Sequence, residues 1–219
     1  KDFFVHAFEA NPYLIKEIKK LKKKIEFRKR LKILNYKINS CAVGNIKKIS
    51  TFYISVNHRV SSLNKLSSGL DNSWPGYKDS IFKVIKKIKV KVINLNDYMK
   101  KNKINNIRYL HIDTQGNDLN VLKGLKSNIN NVDEGKMEAA INKKNAAYKN
   151  NHTIKDVKKK IFTSKLKIYN IVKIEHLSDK KIFKNEVDIF FRKKKISKIN
   201  FINLNYNHRY YARLISNKT

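Results

Sequence analysis

Residues 107–125, IRYLHIDTQGNDLNVLKGL, decide the fold. Positions 107–112 are apolar, β-branched and aromatic in a short run, which predicts a buried strand. Gly116 allows a tight backbone just beyond it. From Asp118 onward, Leu119, Leu122 and Leu125 recur at helical spacing and predict a helix over 118–125 with one buried face. A strand, a turn carrying Asp113 and Gln115, and a helix therefore follow one another directly.

The same grammar extends outward. Upstream, residues 3–8 read as a buried strand ending at Glu9-Ala10-Asn11-Pro12. Asn11 suits a helix cap and Pro12 the first helical position, where a missing N–H costs nothing. A helix is expected over 12–31, with Leu14, Ile15, Ile18, Leu21 and Ile25 on one face. Further strands are expected over 33–42, 51–55 and 89–93, followed by a short helix from Leu95 to Lys101. The polar stretch 56–77, which holds the only tryptophan, predicts a long loop of the kind that often carries function. Downstream, strands are expected near 136–141, 168–174 and 187–191, with a helix over 153–162. From Arg192 the chain reads as basic and irregular, apart from a strand or helix near 201–204. Such alternation predicts an α/β domain over 1–192, with a mainly parallel sheet flanked by helices, and a basic tail over 193–219.

Composition narrows the function. The chain has 219 residues, 41% of them hydrophobic, which suits one globular domain. No run approaches the length of a membrane-spanning helix, and Lys1-Asp2-Phe3-Phe4-Val5 has none of the pattern of a secretory leader. One cysteine, Cys41, excludes an intramolecular disulfide and a multi-cysteine zinc site, and fits a reduced, cytoplasmic setting. No metal site is expected. The net charge of +33 has two readings. It attracts polyanions at low salt. Only 7 of the 50 basic residues are arginine, however, and 28 Asn and 28 Ile stand against 8 Ala, 6 Gly and 2 Pro, the pattern of an A/T-rich coding sequence.

In an open parallel sheet, ligands bind beyond the carboxyl ends of the strands. That rule selects Glu9, Cys41-Ala42-Val43, Asp113 and Glu138. Glu9 can accept two hydrogen bonds from the vicinal hydroxyls of a ribose, or be an ordinary solvated charge. Asp113 can face the crevice with Gln115, or share with Asn117 the capping of the next helix. Glu138 lies between apolar neighbours, and His111 projects to the face opposite Leu110 and Ile112. His152 stands in a polar run before a helix, where a loop residue could close on a substrate. Nucleophile elbows, zinc motifs and glycine-rich phosphate loops are absent.

Three blocks carry a resemblance. Val5-His6-Ala7-Phe8-Glu9-Ala10-Asn11-Pro12, Cys41-Ala42-Val43-Gly44, and the run from Leu110 to Leu119 continuing through Val121-Leu122-Lys123-Gly124-Leu125 resemble the FkbM family of methyltransferases. The likeness continues weakly through Met137-Glu138 and Val187-Asp188-Ile189-Phe190-Phe191. It implies a class I methyltransferase sheet that binds S-adenosylmethionine. By analogy Glu9 would hold the cofactor ribose, with Asn11, Cys41, Ala42 and Val43 near the adenosine and Asp113 and Gln115 where cofactor meets acceptor. It implies methyl transfer to a hydroxyl of a sugar, polysaccharide or related metabolite. Asp113 would be the first choice of base, with Glu138 or His111 behind it. The family's first strand and glycine-containing acidic loop would precede residue 1. The resemblance therefore implies a sheet without one central strand, and weak or absent activity for these residues alone. The rival reading is a nucleic-acid or polyanion-binding module on the same scaffold, with Phe201, Tyr206, Tyr210 and Tyr211 stacking on bases, or an inactive remnant.

Overall fold

A computed structural model describes residues 3–29, 36–178, 181–194 and 212–217. Its first half-unit is strand β1 (Phe3–Glu9), helix α1 (Pro12–Lys29) and strand β2 (Tyr36–Ser40), with β1 and β2 parallel. Pro12 opens α1 as expected, and Leu14, Ile15 and Ile18 are buried. The predicted strand over 33–42 divides in two. After β2 the chain bends at Cys41 and forms β3 (Ala42–Val43), which leaves the main sheet and pairs in a second one. There β3, β5 (Val84–Ile93) and β4 (Lys48–Ser55) lie in that order, and Ala42, Phe52, Ile54, Val90 and Val92 fill a small separate core. Positions 33–35 of the prediction fall outside the described residues.

The second half-unit is the deciding stretch itself. Strand β6 (Ile107–Ile112) leads through a turn into α4 (Asp118–Lys123), and β7 (Val132–Ala140) returns parallel to β6. Helix α4 is shorter than predicted and hands over to a 3-10 turn at Lys126–Asn131. Helix α3 (Leu95–Lys101) precedes this unit, capped by Asn94, whose side chain accepts from the Asp97 amide at 2.8 Å. Helix α5 (Ile154–Phe162) follows it. Thr153 and Asp156 form a reciprocal capping box, worth about 1 kcal/mol to the helix. A short helix, α2 (Leu70–Ser73), and a 3-10 turn at His58–Val60 interrupt the long loop. The main core lies on one side of the sheet. Leu110, Ile112, Met137 and Phe191 pack there against Met99, Leu119, Leu122, Val157 and Ile161. No helix among the described residues is long and apolar enough to cross a membrane.

Two features correct the expectation of a mainly parallel sheet. Strands β8 (Leu166–Ser178) and β9 (Lys181–Lys193) form a hairpin, so β9 meets β7 antiparallel. Ala212–Asn217, within the stretch expected to be an irregular tail, forms strand β10 between β1 and β6, antiparallel to both. The seven-stranded order is β2-β1-β10-β6-β7-β9-β8. The anticipated central gap is therefore filled within this chain. Two facing strand edges with unpaired N–H and C=O groups are costly to bury, and one extended segment satisfies both. The expected element near 201–204, and the aromatics of the polyanion reading, lie outside the described residues.

Connections run from β1 towards one edge of the sheet and from β6 towards the other. The ends of these two strands mark the point where chain direction diverges, the ordinary place for a ligand in such sheets.

Candidate active site

A cleft opens at this divergence, with ≈ 580 Å³ of empty space, its mouth included. Of the residues singled out from sequence, Glu9, Cys41, Ala42, Val43, Asp113 and Gln115 line it; Asn11, Glu138 and His111 do not. The long loop supplies His58, Arg59 and Ser61, and β4 contributes Phe52.

Glu9 ends β1, and its carboxylate accepts from the Asn11 amide at 2.6 Å. Burial pushes its pKa up to about 7, against the lowering effect of hydrogen bonds from the Asn11 and Ala10 amides. Asn11 is fully buried. Its Oδ1 accepts from the Tyr13 amide at 3.1 Å, while its Nδ2 donates to the His58 carbonyl at 3.2 Å. It thus caps α1 as predicted and fixes the loop that walls the cleft. Against that wall Tyr13 and His58 stack, with ring centroids 4.6 Å apart and planes within 6°. His58 Nδ1 is enclosed and has no hydrogen-bond partner. Cys41 is buried, which raises its thiol to a pKa of about 11 and leaves it protonated and unreactive at neutral pH.

Asp113 follows β6 and is 8% exposed. Burial first, then the neighbouring Asp118, raises its pKa well above the carboxylate range, with Gln115 and Lys136 opposing. Gln115 Nε2 donates to Asp113 Oδ1 at 2.8 Å. Gln115 itself adopts φ 54°, a left-handed conformation that costs a non-glycine residue of order 1 kcal/mol. Two contacts hold it there. Ser62 Oγ donates to its carbonyl at 2.6 Å, and the Tyr148 hydroxyl lies 3.0 Å from its Oε1. Gly116 follows at φ 85°, where a Cβ would meet the Tyr148 Cβ at 2.9 Å and its ring at 3.1 Å. The alternative in which the Asn117 side chain caps the helix is not realised. Asn117 Nδ2 instead donates to the Val43 carbonyl at 2.9 Å and ties β3 to the turn after β6.

Glu138 lies on β7 in register with Asp188 of β9. Burial, then Asp113 and Glu186, raises its pKa well above the usual range. Asp118 is pushed up to about 6, mainly by burial. A group whose folded pKa exceeds its unfolded one binds protons more tightly when folded. Stability therefore falls as pH rises from the unfolded value towards the folded one. Glu138→Gln is expected to raise the melting temperature at pH 7.5 by roughly 3 °C, about 1 kcal/mol, and to flatten its decline between pH 5.5 and 7.5. Thermal melts across that window check this. His111 sits on β6 in register with Lys136 and Arg213, away from the cleft wall.

Sequence reasoning missed His58, Arg59, Asp118, Tyr148 and Glu186. The first two lie in the loop it marked as functional, but nothing local distinguished them. Asp118 read only as the start of a helix. Glu186 meets the Asp113–Glu138 group solely through sheet register. Among the described residues, no three potential ligands are arranged to hold a metal ion.

The family model of the methyltransferase FkbM domain matches residues 3–157, from β1 into α5. The chain belongs to the FkbM methyltransferase family. Among curated proteins and solved structures, none matches it. The FkbM match includes Glu9, Cys41-Ala42-Val43 and Asp113-Thr114-Gln115. It ends before β8, β9 and β10, so the antiparallel additions lie outside it.

Proposed function

We propose that this FkbM-family chain is an S-adenosylmethionine-dependent O-methyltransferase acting on a hydroxyl of a sugar, polysaccharide or related metabolite. One observation carries the reading: two carboxyl groups, Glu9 and Asp113, from strands on either side of the divergence, line one cleft. The surroundings fit the cofactor. Phe8, Leu14, Val43, Phe52 and Leu63 give an apolar bed for an adenine ring, and the orphaned His58 Nδ1 offers it a polar contact. Glu9 would accept from both ribose hydroxyls.

The cofactor would supply a methyl group on a positively charged sulfur, already a good leaving group. What remains for the protein is alignment and removal of one proton. Asp113 would take that proton from the acceptor hydroxyl. Its raised pKa makes the carboxylate a stronger base than an exposed aspartate, and Gln115 fixes its orientation. Asp118 and Glu186 would keep the carboxylate basic through like-charge repulsion.

Titration with S-adenosylhomocysteine tests the reading. Only ionised Glu9 accepts two hydroxyl donors, so affinity is expected to rise about tenfold between pH 6 and pH 8 as Glu9 passes its pKa of about 7. Glu9→Gln should weaken binding by at least about tenfold at pH 8 and abolish the pH dependence. No binding to the unmodified chain at any pH in this range would sink the proposal.

A further inference from the structure

A second cleft lies on the helical side of the sheet, with ≈ 1340 Å³ of empty space, its mouth included. Five lysines line it: Lys123 at the end of α4, Lys143 and Lys149 in the loop after β7, and Lys159 and Lys160 in the last turn of α5. No ion pair among the described residues involves any of the five. The single acidic residue in the lining, Asp156, has Oδ2 committed to the Thr153 amide and hydroxyl, both at 2.9 Å. Five lysines thus line one depression, with one carboxylate already engaged.

The walls are anchored. The Lys149 amide donates to the Lys65 carbonyl at 2.8 Å, the Ser67 amide to the Ala147 carbonyl at 3.0 Å, and the Ala140 amide to the His152 carbonyl at 2.9 Å. Asn150 takes φ 59° between Lys149 and Asn151 and so turns the loop sharply at the rim. His152 lines the same cleft, and its Nε2 is enclosed without a partner. Burial, then Lys123 and Lys143 against Asp156, holds its pKa below the usual value.

We infer that this cleft binds a compact di- or triphosphate group of a small-molecule ligand. The chemistry of the lining selects that class. Lysine binds phosphate as a point charge, whereas the planar fork that favours carboxylates and guanine belongs to arginine, and no arginine lines the cleft. The only ring wall besides His152 is Tyr148, which is 3% exposed and whose hydroxyl is held by Val60 and Gln115. Nothing there offers a face for stacking bases, so a nucleic-acid strand would find charge without a platform. Several cations around one concavity suit a ligand whose negative charges are concentrated. The inference does not rest on the methyltransferase reading, because no lysine lines the first cleft.

The test is calorimetric titration of the whole chain with inorganic pyrophosphate and tripolyphosphate at physiological ionic strength, with a single-stranded RNA as a third titrant. Two double variants are compared: Lys123→Gln with Lys159→Gln in the cleft, and Lys86→Gln with Lys87→Gln on the exposed surface of β5. Both remove the same charge from exposed positions, so loss of folding does not confound them. One pyrophosphate per chain is expected, weakened about tenfold or more by the cleft pair and less than about twofold by the β5 pair. In the unmodified protein the His152 ring resonances should shift on binding. Absence of pyrophosphate binding, equal weakening by both pairs, or many weak sites per chain would overturn the inference. RNA that binds where pyrophosphate does not would assign the charge to a diffuse surface instead.

Discussion

Asp113→Asn is expected to lower the rate of methyl transfer by about 10²- to 10⁴-fold, the usual contribution of a positioned general base, while S-adenosylhomocysteine still binds. The amide keeps the shape of the carboxylate and can still face the Gln115 side chain, so the cleft is preserved. What disappears is the basic oxygen of the carboxyl group proposed to take the acceptor's proton. The variant should also melt no lower than the parent, because Asp113 is destabilised by burial and by Asp118 when ionised. Loss of turnover with binding and stability retained separates a base from a structural carboxylate. Retained turnover would pass the role to Glu138, and Glu138→Gln, measured alongside, would identify it.

Gly124→Ala should cost the fold about 3 kcal/mol of stability. A Cβ at this position would overlap the carbonyl oxygen of Gly44, a backbone atom that no rotamer change can move. The contact joins the end of α4 to the end of β3. The same junction carries the Asn117 bond to Val43 and the bond from the Asn96 amide to the Gly124 carbonyl at 2.9 Å. Prising it apart should open the side of the cleft lined by Cys41, Ala42 and Val43, so binding of S-adenosylhomocysteine should weaken along with the melt. Chemical denaturation and calorimetry on one preparation measure both. A variant that melts normally would mean that α4 and β3 can separate freely.

Local pattern carried much of this into view. The strand over 107–112 and the helix over 95–101 stand where periodicity places them, and Glu9 and Asp113 sit at strand ends as the alternation requires. Periodicity fails where partners are remote. Six residues, ARLISN, have no local signal strong enough to mark a central strand in a lysine-rich tail. They become one because β1 and β6, more than a hundred residues away in sequence, present two open edges. The break at Cys41 was equally hidden, since a run of apolar residues does not say that its last two join another sheet. In the site, Glu9 and Asp113 were legible because a strand end is a local property. Tyr148 and Glu186 were not, because their roles arise from a loop and a hairpin folding back.

The position of β10 also sets the order of assembly. Phe3 pairs with Asn217, and β10, which lies inside the seven-stranded sheet between β1 and β6, follows the sheet's other strands in the sequence. As the chain emerges from a ribosome, the β1–β2 unit and the β6–β9 unit can each form early, yet they cannot join through hydrogen bonds until residues 212–217 arrive. Closure over so long a span is slow. During that interval two strand edges with unpaired backbone groups stand open to other chains, which exposes the unfinished sheet to aggregation.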